Sequence, residues 1–383
     1  MTTREPFALY VHVPYCRHVC PYCDFNVQAA REPPENDYIK ALVAEAAFHA
    51  ATGDFSGRAV QTVYIGGGTP SLFSPAAIGT LLDAIARRFA ILPGAEITLE
   101  ANPGTVDVAR LTGYRAAGVN RLSIGAQSFA SNHLRTLGRD HDPANTITAV
   151  ESSRAAGIDN VSLDLIYAVP GETLAEWEAD LHAAIALAPP HVSAYALTYE
   201  AGTPFHAWRA AHRLVPVPDD DEADMAERTV AMLGSAGYDR YEISSFARPG
   251  YTSRHNTAYW TASDYLGLGA GAHSFSQTPF PGRHWMNEKI PARYMATARD
   301  GPIATEDPLT EPQARAEFCF CGLRRTEGIN IAAFRLRFGI ELTAAFPHVA
   351  RLIADGLTEL AAGRLRLTAQ GLRHADTVAA TFV

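Results

Sequence analysis

Short apolar runs recur along the first half of the chain and alternate with longer amphipathic stretches. The apolar runs are rich in β-branched or aromatic residues and are bounded by Gly, Pro or Asn, which is typical of buried strands. The predicted strands are Ala8–Val13, Thr62–Ile65, Glu96–Glu100, Arg121–Ile124, Val161–Ile166 and Val192–Ala196. The predicted helices between them are Asp37–Ala51, Pro75–Phe89, Val106–Ala117, Pro143–Ala156 and Leu174–Leu187.

Local start signals support these helices. Ser74-Pro75 and Asp142-Pro143 each place a capping side chain before a proline at the first helical position. The regular alternation of strands and helices predicts parallel βαβ units, which build either a doubly wound sheet or an open barrel.

Polar or glycine-rich sequence follows nearly every predicted strand, which favours the barrel. The segments concerned are the loop Cys16–Cys23, Gly66–Ser71, Glu100–Gly104, Gly125–Ser128 and Asp164. Chemistry gathered at the carboxyl ends of successive strands is typical of barrel active sites, whereas a doubly wound sheet concentrates it at one crevice. We therefore predict an α/β fold, an open (β/α)6 partial TIM-type barrel of parallel strands.

The periodic pattern loosens after about Glu200. The acidic run Asp219–Glu222 predicts the start of a helix that extends to about Ala236, with a metal site as the less favoured alternative. The stretch Tyr238–Phe275 is dense in aromatic residues, Gly and His and is predicted to be irregular. From Glu311 onward, helical segments and the alternation Arg364–Thr368 predict a smaller C-terminal helical domain with a β wing.

Three domain ranges follow from these patterns. We expect a barrel domain over residues 1–236, a connecting segment that completes the core over 237–300, and the C-terminal helical and winged domain over 301–383.

Composition excludes several classes of protein. A formal charge of −9 over 383 residues argues against a nucleic-acid binder, which would carry a basic patch. No apolar run reaches the length of a transmembrane helix, and the first residues lack the pattern of a signal peptide. Five cysteines, three of them crowded together, suit a reducing compartment, so we expect a cytoplasmic protein.

The crowded cysteines form the spacing Cys16-x-x-x-Cys20-x-x-Cys23, directly after the first predicted strand. Three thiolates are one fewer than the four that normally hold an iron–sulfur cluster or a structural zinc ion. The spacing therefore predicts a cluster with one iron open to another ligand. Three buried apolar cysteines without a metal are the alternative.

Together with the preceding Tyr10–Tyr15 and the following Asp24-Phe25, this motif resembles the radical S-adenosylmethionine superfamily. The branch concerned contains oxygen-independent coproporphyrinogen III oxidase and the HemW haem chaperones. Further segments that match it are Gly66–Ser71, Glu100–Pro103, Arg121–Phe129, Arg139–His141, Asp164–Gly171 and His255–Trp260. The resemblance implies a [4Fe–4S] cluster on Cys16, Cys20 and Cys23, with S-adenosylmethionine at the open iron. In that superfamily an electron from the cluster cleaves the sulfonium to give methionine and a 5′-deoxyadenosyl radical.

The resemblance also implies which residues surround one or two S-adenosylmethionine molecules. They are Tyr10, Tyr22, Gly67, Gly68, Thr69, Glu100, Gln127, Arg139 and Asp164. All of these except Tyr10, Gly67 and Glu100 match the positions that hold a second molecule in the oxidase. Glu100 suits amino or ribose groups, because a carboxylate accepts several hydrogen bonds. For Arg139 and Asp164, a structural ion pair is the alternative.

Two departures from the oxidase favour the chaperones. Phe25 stands where the oxidase carries a further cysteine, and the first strand begins by residue 8, where the oxidase has a long amino-terminal extension. His255, in His255-Asn256-x-x-Tyr259-Trp260, is then a candidate axial haem ligand beside aromatic surface that suits a porphyrin. A hydrogen-bonded core histidine is the alternative, and His273 is a less favoured ligand.

We therefore expect a haem chaperone that binds haem and transfers it to acceptor haemoproteins, such as respiratory-chain enzymes. The alternative is a radical S-adenosylmethionine enzyme of the same branch, either the oxidase or a methyltransferase. The sequence leaves open the identity of the acceptor, the formation of a homodimer, and peripheral contact with the inner face of the cell membrane. Cys319 and Cys321 are interpreted as helix packing, with thiolate ligation of haem as the alternative.

Overall fold

The computed structural model describes residues 5–51 and 53–383, and up to residue 236 strands and helices alternate. The strands of this part are β1 (Phe7–Val13), β2 (Tyr15–Cys16), β3 (Gln28–Ala29), β4 (Ala59–Gly67), β5 (Ala90–Ala101), β6 (Arg121–Gln127), β7 (Asn160–Tyr167) and β8 (His191–Ala196). The helices are α1 (Glu35–Ala51), α2 (Pro75–Ala86), α3 (Val108–Ala116), α4 (Ser131–Thr136), α5 (Pro143–Ala155), α6 (Leu174–Ala186), α7 (Pro204–Ala210) and α8 (Asp219–Ser235). The six predicted strands and five predicted helices are confirmed, with ends that differ by a few residues.

The later part of the chain also carries regular structure. Its strands are β9 (Asp239–Arg240), β10 (Ser245–Ala247), β11 (Tyr265–Leu268), β12 (His273–Ser276), β13 (Arg283–Asn287), β14 (Ile303–Pro308), β15 (Ile329–Asn330), β16 (Thr358–Ala361) and β17 (Arg364–Leu367). Its helices are α9 (Arg254–Trp260), α10 (Pro291–Thr297), α11 (Glu311–Leu323), α12 (Ile331–Phe338), α13 (Leu342–Ala345), α14 (Val349–Ala354), α15 (Ala369–Arg373) and α16 (Ala375–Ala380).

The prediction of irregular structure over Tyr238–Phe275 is wrong, since β9, β10, α9, β11 and most of β12 lie there. These strands are too short to show a periodic pattern, and they form by pairing with the edges of an existing sheet. The predicted wing is confirmed, because β16 and β17 pair as an antiparallel hairpin.

Capping side chains fix where two of the helices begin. Ser74 accepts a hydrogen bond from the backbone N–H of Ala77 at the start of α2. Asp142 and Asn145 form a reciprocal capping box at the start of α5. The acidic run Asp219–Glu222 forms the first turn of α8, where negative charge is favoured by the helix dipole.

The main sheet has the strand order β14-β13-β12-β11-β1-β4-β5-β6-β7-β8-β10-β9. From β1 to β8 each strand pairs in parallel with the next major strand along the chain, without the reversal of order that defines a doubly wound sheet. The predicted open α/β arrangement of six successive strands is thus confirmed. A seventh parallel strand, β11, extends it beyond β1, and within the described residues no pairing joins β14 to β9.

The described residues form two large hydrophobic cores and a third, small cluster around Leu137, Ile166 and Phe205. The largest core lies between the main sheet and the surrounding helices, and the second lies among α11, α12 and the wing, where Cys319 is fully buried. The domain ranges 1–236, 237–300 and 301–383 stay predictions, and the first four residues of the first range lie outside the described residues. Within the described chain, no helix has the length and apolar character needed to cross a bilayer.

Candidate functional site

A cavity of about 440 Å³ opens at the carboxyl ends of the parallel strands. Parallel strands end at a common edge of the sheet, so residues that follow different strands meet there. Eleven of the predicted site residues line this cavity, namely Cys16, Cys20, Tyr22, Cys23, Gly67, Gly68, Thr69, Glu100, Gln127, Arg139 and Asp164. Tyr10 and His255 do not.

The three cysteines that follow β1 are free thiols on one wall of the cavity. Thr69 Oγ1 donates a hydrogen bond to Cys16 Sγ at 3.5 Å, and Arg139 Nη1 donates one to Cys20 Sγ at 3.7 Å. Burial raises the pKa of Cys16, and it raises the pKa of Cys23 to about 11. Deprotonation of these thiols therefore needs nearby positive charge, such as metal ions. Within the described chain no fourth cysteine lines the cavity, so the donor set fits three ligands of a cluster with one open iron.

The glycine loop that ends β4 packs tightly against β1 and β2. Gly67 has φ of +110°, and a Cβ atom there would lie 2.5 Å from the ring of His12. A Cβ atom at Gly68 would lie 2.7 Å from the carbonyl oxygen of Tyr15. Close contacts within the protein itself therefore already require glycine at both positions.

Glu100, at the end of β5, is held from two sides. Its Oε1 accepts a hydrogen bond from Tyr64 Oη at 2.8 Å, and its Oε2 accepts one from the backbone N–H of Gly67 at 2.9 Å. Burial nevertheless raises the pKa of this carboxyl group to about 7. A cationic group of a ligand in the cavity would stabilise its ionised form.

Asp164, on β7, is held by hydroxyl groups. Its carboxylate accepts hydrogen bonds from Ser123 Oγ at 2.7 Å and from Ser162 Oγ at 3.1 Å, and burial raises its pKa. Arg139 instead donates to the carbonyl oxygen of Gly125 at 3.2 Å, and its Nε is buried without a hydrogen-bond partner. The alternative of an Arg139–Asp164 ion pair is not supported, because the described residues form no such pair within 4.0 Å.

Gln127 ends β6 in the left-handed region, with φ of +63°. Residues other than glycine seldom adopt this conformation, and such strain often occurs at functional sites. It accompanies an irregular register between β6 and β7 just before Gln127. Gln127 itself lines the cavity.

Tyr10 lies next to the cavity wall without lining it. Its ring stacks on Tyr64, with centroids 6.2 Å apart, and its Oη lies 2.9 Å from His12 Nδ1. Tyr64 lines the cavity. Tyr10 therefore packs behind two residues of the site: it stacks on Tyr64, which lines the cavity, and it lies beside His12, whose ring is next to Gly67.

His255, on α9, is buried with both ring nitrogens engaged. Its Nδ1 lies 2.9 Å from Thr62 Oγ1, its Nε2 lies 2.8 Å from Tyr259 Oη, and its ring stacks on Tyr64 at 5.1 Å. Burial lowers the pKa of this imidazole to about 3. The arrangement is that of a hydrogen-bonded core histidine, whereas the next residue, Asn256, lines the cavity.

Sequence reasoning missed several lining residues. Arg121 and Ser123, together with Gly125 and Gln127, occupy alternate positions along β6, and all four line the cavity. Side chains alternate between the two faces of a strand, so this period of two was the signal that could have identified Arg121 and Ser123. Tyr64, Asn102 and Ser193 also line the cavity without having been predicted.

Exposed apolar side chains lie at the same cavity. Phe25 is 63% exposed, Val19 44% and Tyr195 42%, and all three line the cavity. We call these three residues the apolar rim. Exposed apolar and aromatic side chains of this kind suit a hydrophobic ligand.

Comparison with protein families agrees with this geometry. Residues 10–184 match the model of the radical SAM superfamily, and residues 309–374 match that of the HemN C-terminal domain. The first range includes the cysteines and the other predicted cavity residues. The second lies within the predicted C-terminal domain.

Comparison with individual proteins extends the similarity to nearly the whole chain. The haem chaperone HemW of Escherichia coli (strain K12) is 40% identical over 94% of both chains. HemW of Bacillus subtilis (strain 168) is 34% identical over 98% of both chains. The solved structure of coproporphyrinogen III oxidase (HemN) of Escherichia coli, a radical SAM enzyme, matches 99% of this chain and 90% of its own with a TM-score of 0.85. Because its sequence identity is 24%, that match shows a common fold alone.

Proposed function

The chain belongs to the radical SAM superfamily and, within it, to the family of the HemW haem chaperones, and from this premise we propose that it binds haem and transfers it to acceptor haemoproteins. The observation that carries the proposal is the 40% identity to a haem chaperone over 94% of both chains. Phe25 at the cavity supports it, because the oxidase of this branch carries a further cysteine at that position.

The superfamily implies a [4Fe–4S] cluster and S-adenosylmethionine as cofactors. We propose that Cys16, Cys20 and Cys23 bind three irons of the cluster, since these three free thiols line one cavity. When both groups are bound, they supply one-electron chemistry at the sulfonium of S-adenosylmethionine. Thr69 and Arg139 would donate hydrogen bonds to the cluster's thiolates from the positions they occupy beside Cys16 and Cys20.

We further propose that the remaining cavity residues hold one or two S-adenosylmethionine molecules. Glu100 suits the cationic amino group of S-adenosylmethionine. Burial raises the pKa of this carboxyl group, and in the described chain no lysine or arginine lies within ion-pair distance of it. Asn102 Oδ1 and Arg139 Nε are buried without partners and would complete hydrogen bonds to a polar ligand. Tyr22, Gly67, Gly68, Thr69, Gln127 and Asp164 line the same space. Tyr10 would act through Tyr64.

For haem, we propose the apolar rim as the binding surface. A porphyrin needs apolar contact, and the exposed side chains of Val19, Phe25 and Tyr195 offer it in the cavity that the three cysteines also line. We also propose His255 as the axial ligand of the haem iron. It requires release of the hydrogen bond between His255 Nε2 and Tyr259 Oη and exposure of the ring, whereas His273 is already exposed.

Acceptors and location complete the proposal. We propose respiratory-chain haemoproteins as acceptors, a cytoplasmic location with peripheral contact at the inner face of the cell membrane, and a homodimer as the assembly. Copurification with membrane vesicles tests the membrane contact, and the mass of the haem-loaded protein in solution tests the homodimer. Transfer of haem to an apo-haemoprotein of the respiratory chain, followed by the absorption spectrum of the acceptor, tests the proposed acceptors.

The main experiment uses the full chain with its cluster reconstituted anaerobically. We expect stoichiometric haem binding, followed by absorbance, and no turnover of coproporphyrinogen with S-adenosylmethionine and reductant. Oxidative decarboxylation at a substantial rate would instead support the alternative, a radical SAM enzyme of the same branch.

Matched variants locate the haem. Phe25→Ser in the apolar rim should weaken haem binding by about tenfold, or about 1.4 kcal/mol. Leu336→Ser, at an apolar residue that is 89% exposed on α12, is the control and should leave the affinity unchanged. Equal affinities for the two variants would place haem elsewhere. Haem binding that persists in His255→Ala but fails in His273→Ala would move the ligand to His273.

A further inference from the structure

A second cluster of polar side chains is buried outside the cavity. His133 on α4, Glu172 between β7 and α6, and Asp180 on α6 each bring one ligand-type atom within 4.8 Å of the others. Their side chains are nearly inaccessible, with residue exposures of 2%, 6% and 2%. None of the three lines the cavity.

Each of these side chains has an atom without a hydrogen-bond partner. Both ring nitrogens of His133, Oε1 of Glu172 and Oδ2 of Asp180 are buried and unpartnered. Leaving such groups unsatisfied costs about 1–3 kcal/mol each. Buried polar atoms are nearly always satisfied, so several unsatisfied atoms that face one another indicate a missing common partner.

The second oxygen of each carboxylate is fixed by the backbone. Glu172 Oε2 accepts a hydrogen bond from the N–H of Val169 at 3.0 Å, and Asp180 Oδ1 accepts one from the N–H of Phe129 at 2.9 Å. These bonds orient both carboxylates and leave one free oxygen on each. Metal-binding carboxylates are commonly held in this way by hydrogen bonds around the site.

The cluster has no lysine or arginine partner in the described chain. His133 Nδ1 lies 3.7 Å from Glu172 Oε1, which is too long for a hydrogen bond. In the described chain neither Glu172 nor Asp180 forms an ion pair with a lysine or an arginine. Burial accordingly raises the pKa of Glu172 to about 8 and also raises that of Asp180. A bound cation would offset the cost of burying two carboxylates.

We propose that His133, Glu172 and Asp180 bind a divalent transition-metal ion of the zinc type through one imidazole nitrogen and two carboxylate oxygens. Ligand bonds of about 2.0–2.2 Å in tetrahedral geometry place ligand atoms about 3.3–3.5 Å apart, close to the separation of His133 Nδ1 and Glu172 Oε1. Imidazole together with carboxylate suits zinc better than it suits calcium or magnesium, which prefer oxygen ligands alone.

A fourth side chain lies near the imidazole. His133 Nε2 lies 3.8 Å from Oε2 of Glu176, a half-exposed carboxylate on α6. Hydrogen bonds from Thr173 lower the pKa of Glu176, so this group stays ionised and suits a partner of the ring N–H. A carboxylate beside the second nitrogen is the usual companion of a metal-bound histidine.

The site joins segments that follow two strands of the cavity. Asp180 holds the N–H of Phe129, two residues after Gln127, while His133 and Glu172 come from the segments that follow β6 and β7. A cation bound by all three would brace the turn after Gln127 against α6. The ion would therefore act as a structural support for the cavity and not as part of its chemistry.

The test measures zinc on the full chain carrying Cys16→Ala, Cys20→Ala and Cys23→Ala, which removes competing thiolates. Equilibrium dialysis against a competing chelator should give one Zn²⁺ per chain, with a rise in melting temperature when zinc is added. Glu172→Gln keeps the volume of the side chain and should weaken zinc binding by more than about 100-fold, with Asp180→Asn as a second variant. His182→Ala changes an exposed histidine on the same helix and should bind zinc as the parent does.

Two results would overturn the proposal. One is a chain that binds no zinc, both with the three loop cysteines replaced and with the iron–sulfur cluster in place. The other is unchanged zinc affinity in both Glu172→Gln and Asp180→Asn. In either case the buried acids are protonated or hydrated and no cation is needed.

Discussion

The cavity at the strand ends and the α9 segment around His255 differ in whether their polar groups have hydrogen-bond partners. The cavity contains three free thiols, a buried Arg139 Nε without a partner, and a Glu100 carboxyl group whose pKa is raised to about 7. Around His255, both ring nitrogens have hydrogen-bond partners, and the backbone N–H donates to Glu96 at 3.0 Å.

This difference distinguishes residues that bind a ligand from residues that stabilise the fold. Polar groups that the protein leaves unsatisfied indicate a ligand, whereas satisfied groups stabilise the structure itself. His255 packs on Tyr64, and Tyr64 donates the hydrogen bond that holds Glu100 in the cavity wall. The side chain of His255 thus supports the cavity wall from behind, unless its ring is released to bind haem.

The largest expected effect is the loss of the iron–sulfur cluster in Cys20→Ala. Removal of one of three thiolates should abolish cluster assembly, measured as iron and sulfide per chain and as visible absorbance after anaerobic reconstitution. Cys321→Ala, on α11, is the control and should keep the full cluster. A complete cluster in Cys20→Ala would contradict the assignment of the cavity as the cluster site.

The next effect distinguishes two glycines with positive φ. In Gly67→Ala the new Cβ meets the ring of His12, so we expect a loss of about 2–5 kcal/mol in the free energy of unfolding, measured with urea. Gly94→Ala, with φ of +71° and no atom within 4 Å of the new Cβ, should lose only about 1–2 kcal/mol. Equal losses would mean that the loop does not depend on its packing against β1.

A smaller effect tests the supporting role of α9. His255→Ala leaves Thr62 and Tyr259 without their partner and should cost about 2–4 kcal/mol of unfolding free energy. His206→Ala, at an exposed histidine on α7, should change it by less than about 0.5 kcal/mol. If His255→Ala is as stable as the parent, the hydrogen bonds of His255 do not stabilise the fold, and the result favours His255 as a haem ligand.

The smallest effect is a pH dependence at Glu100. Its pKa is raised from 4.5 to about 7 in the folded chain, so the folded state binds the proton more tightly than the unfolded state does. Its stabilising contribution is therefore present at low pH and is lost as pH rises towards 7, by about 2 kcal/mol between pH 5 and pH 7. Glu100→Gln should remove that slope in urea unfolding of the cofactor-free protein. Parallel pH profiles for the two proteins would show that the carboxyl group is not desolvated.

Local patterns predicted much of the fold. The six parallel strands, the starts of α2 and α5 and the C-terminal wing follow from short-range periodicity and capping, which depend on neighbouring residues. The short strands β11 and β12 could not be predicted, because they form by pairing with β1 and with each other.

The sequence by itself determined the cysteine loop, the succession of strands and the position of the predicted residues at the strand ends. It determined these because spacing and alternation are properties of contiguous residues. Only the tertiary structure decided which of those residues share a cavity, that His255 is satisfied by Thr62 and Tyr259, and that His133 meets Glu172 and Asp180 without a hydrogen bond. Burial and hydrogen bonding across distant segments set these environments, and no local pattern in the chain records them.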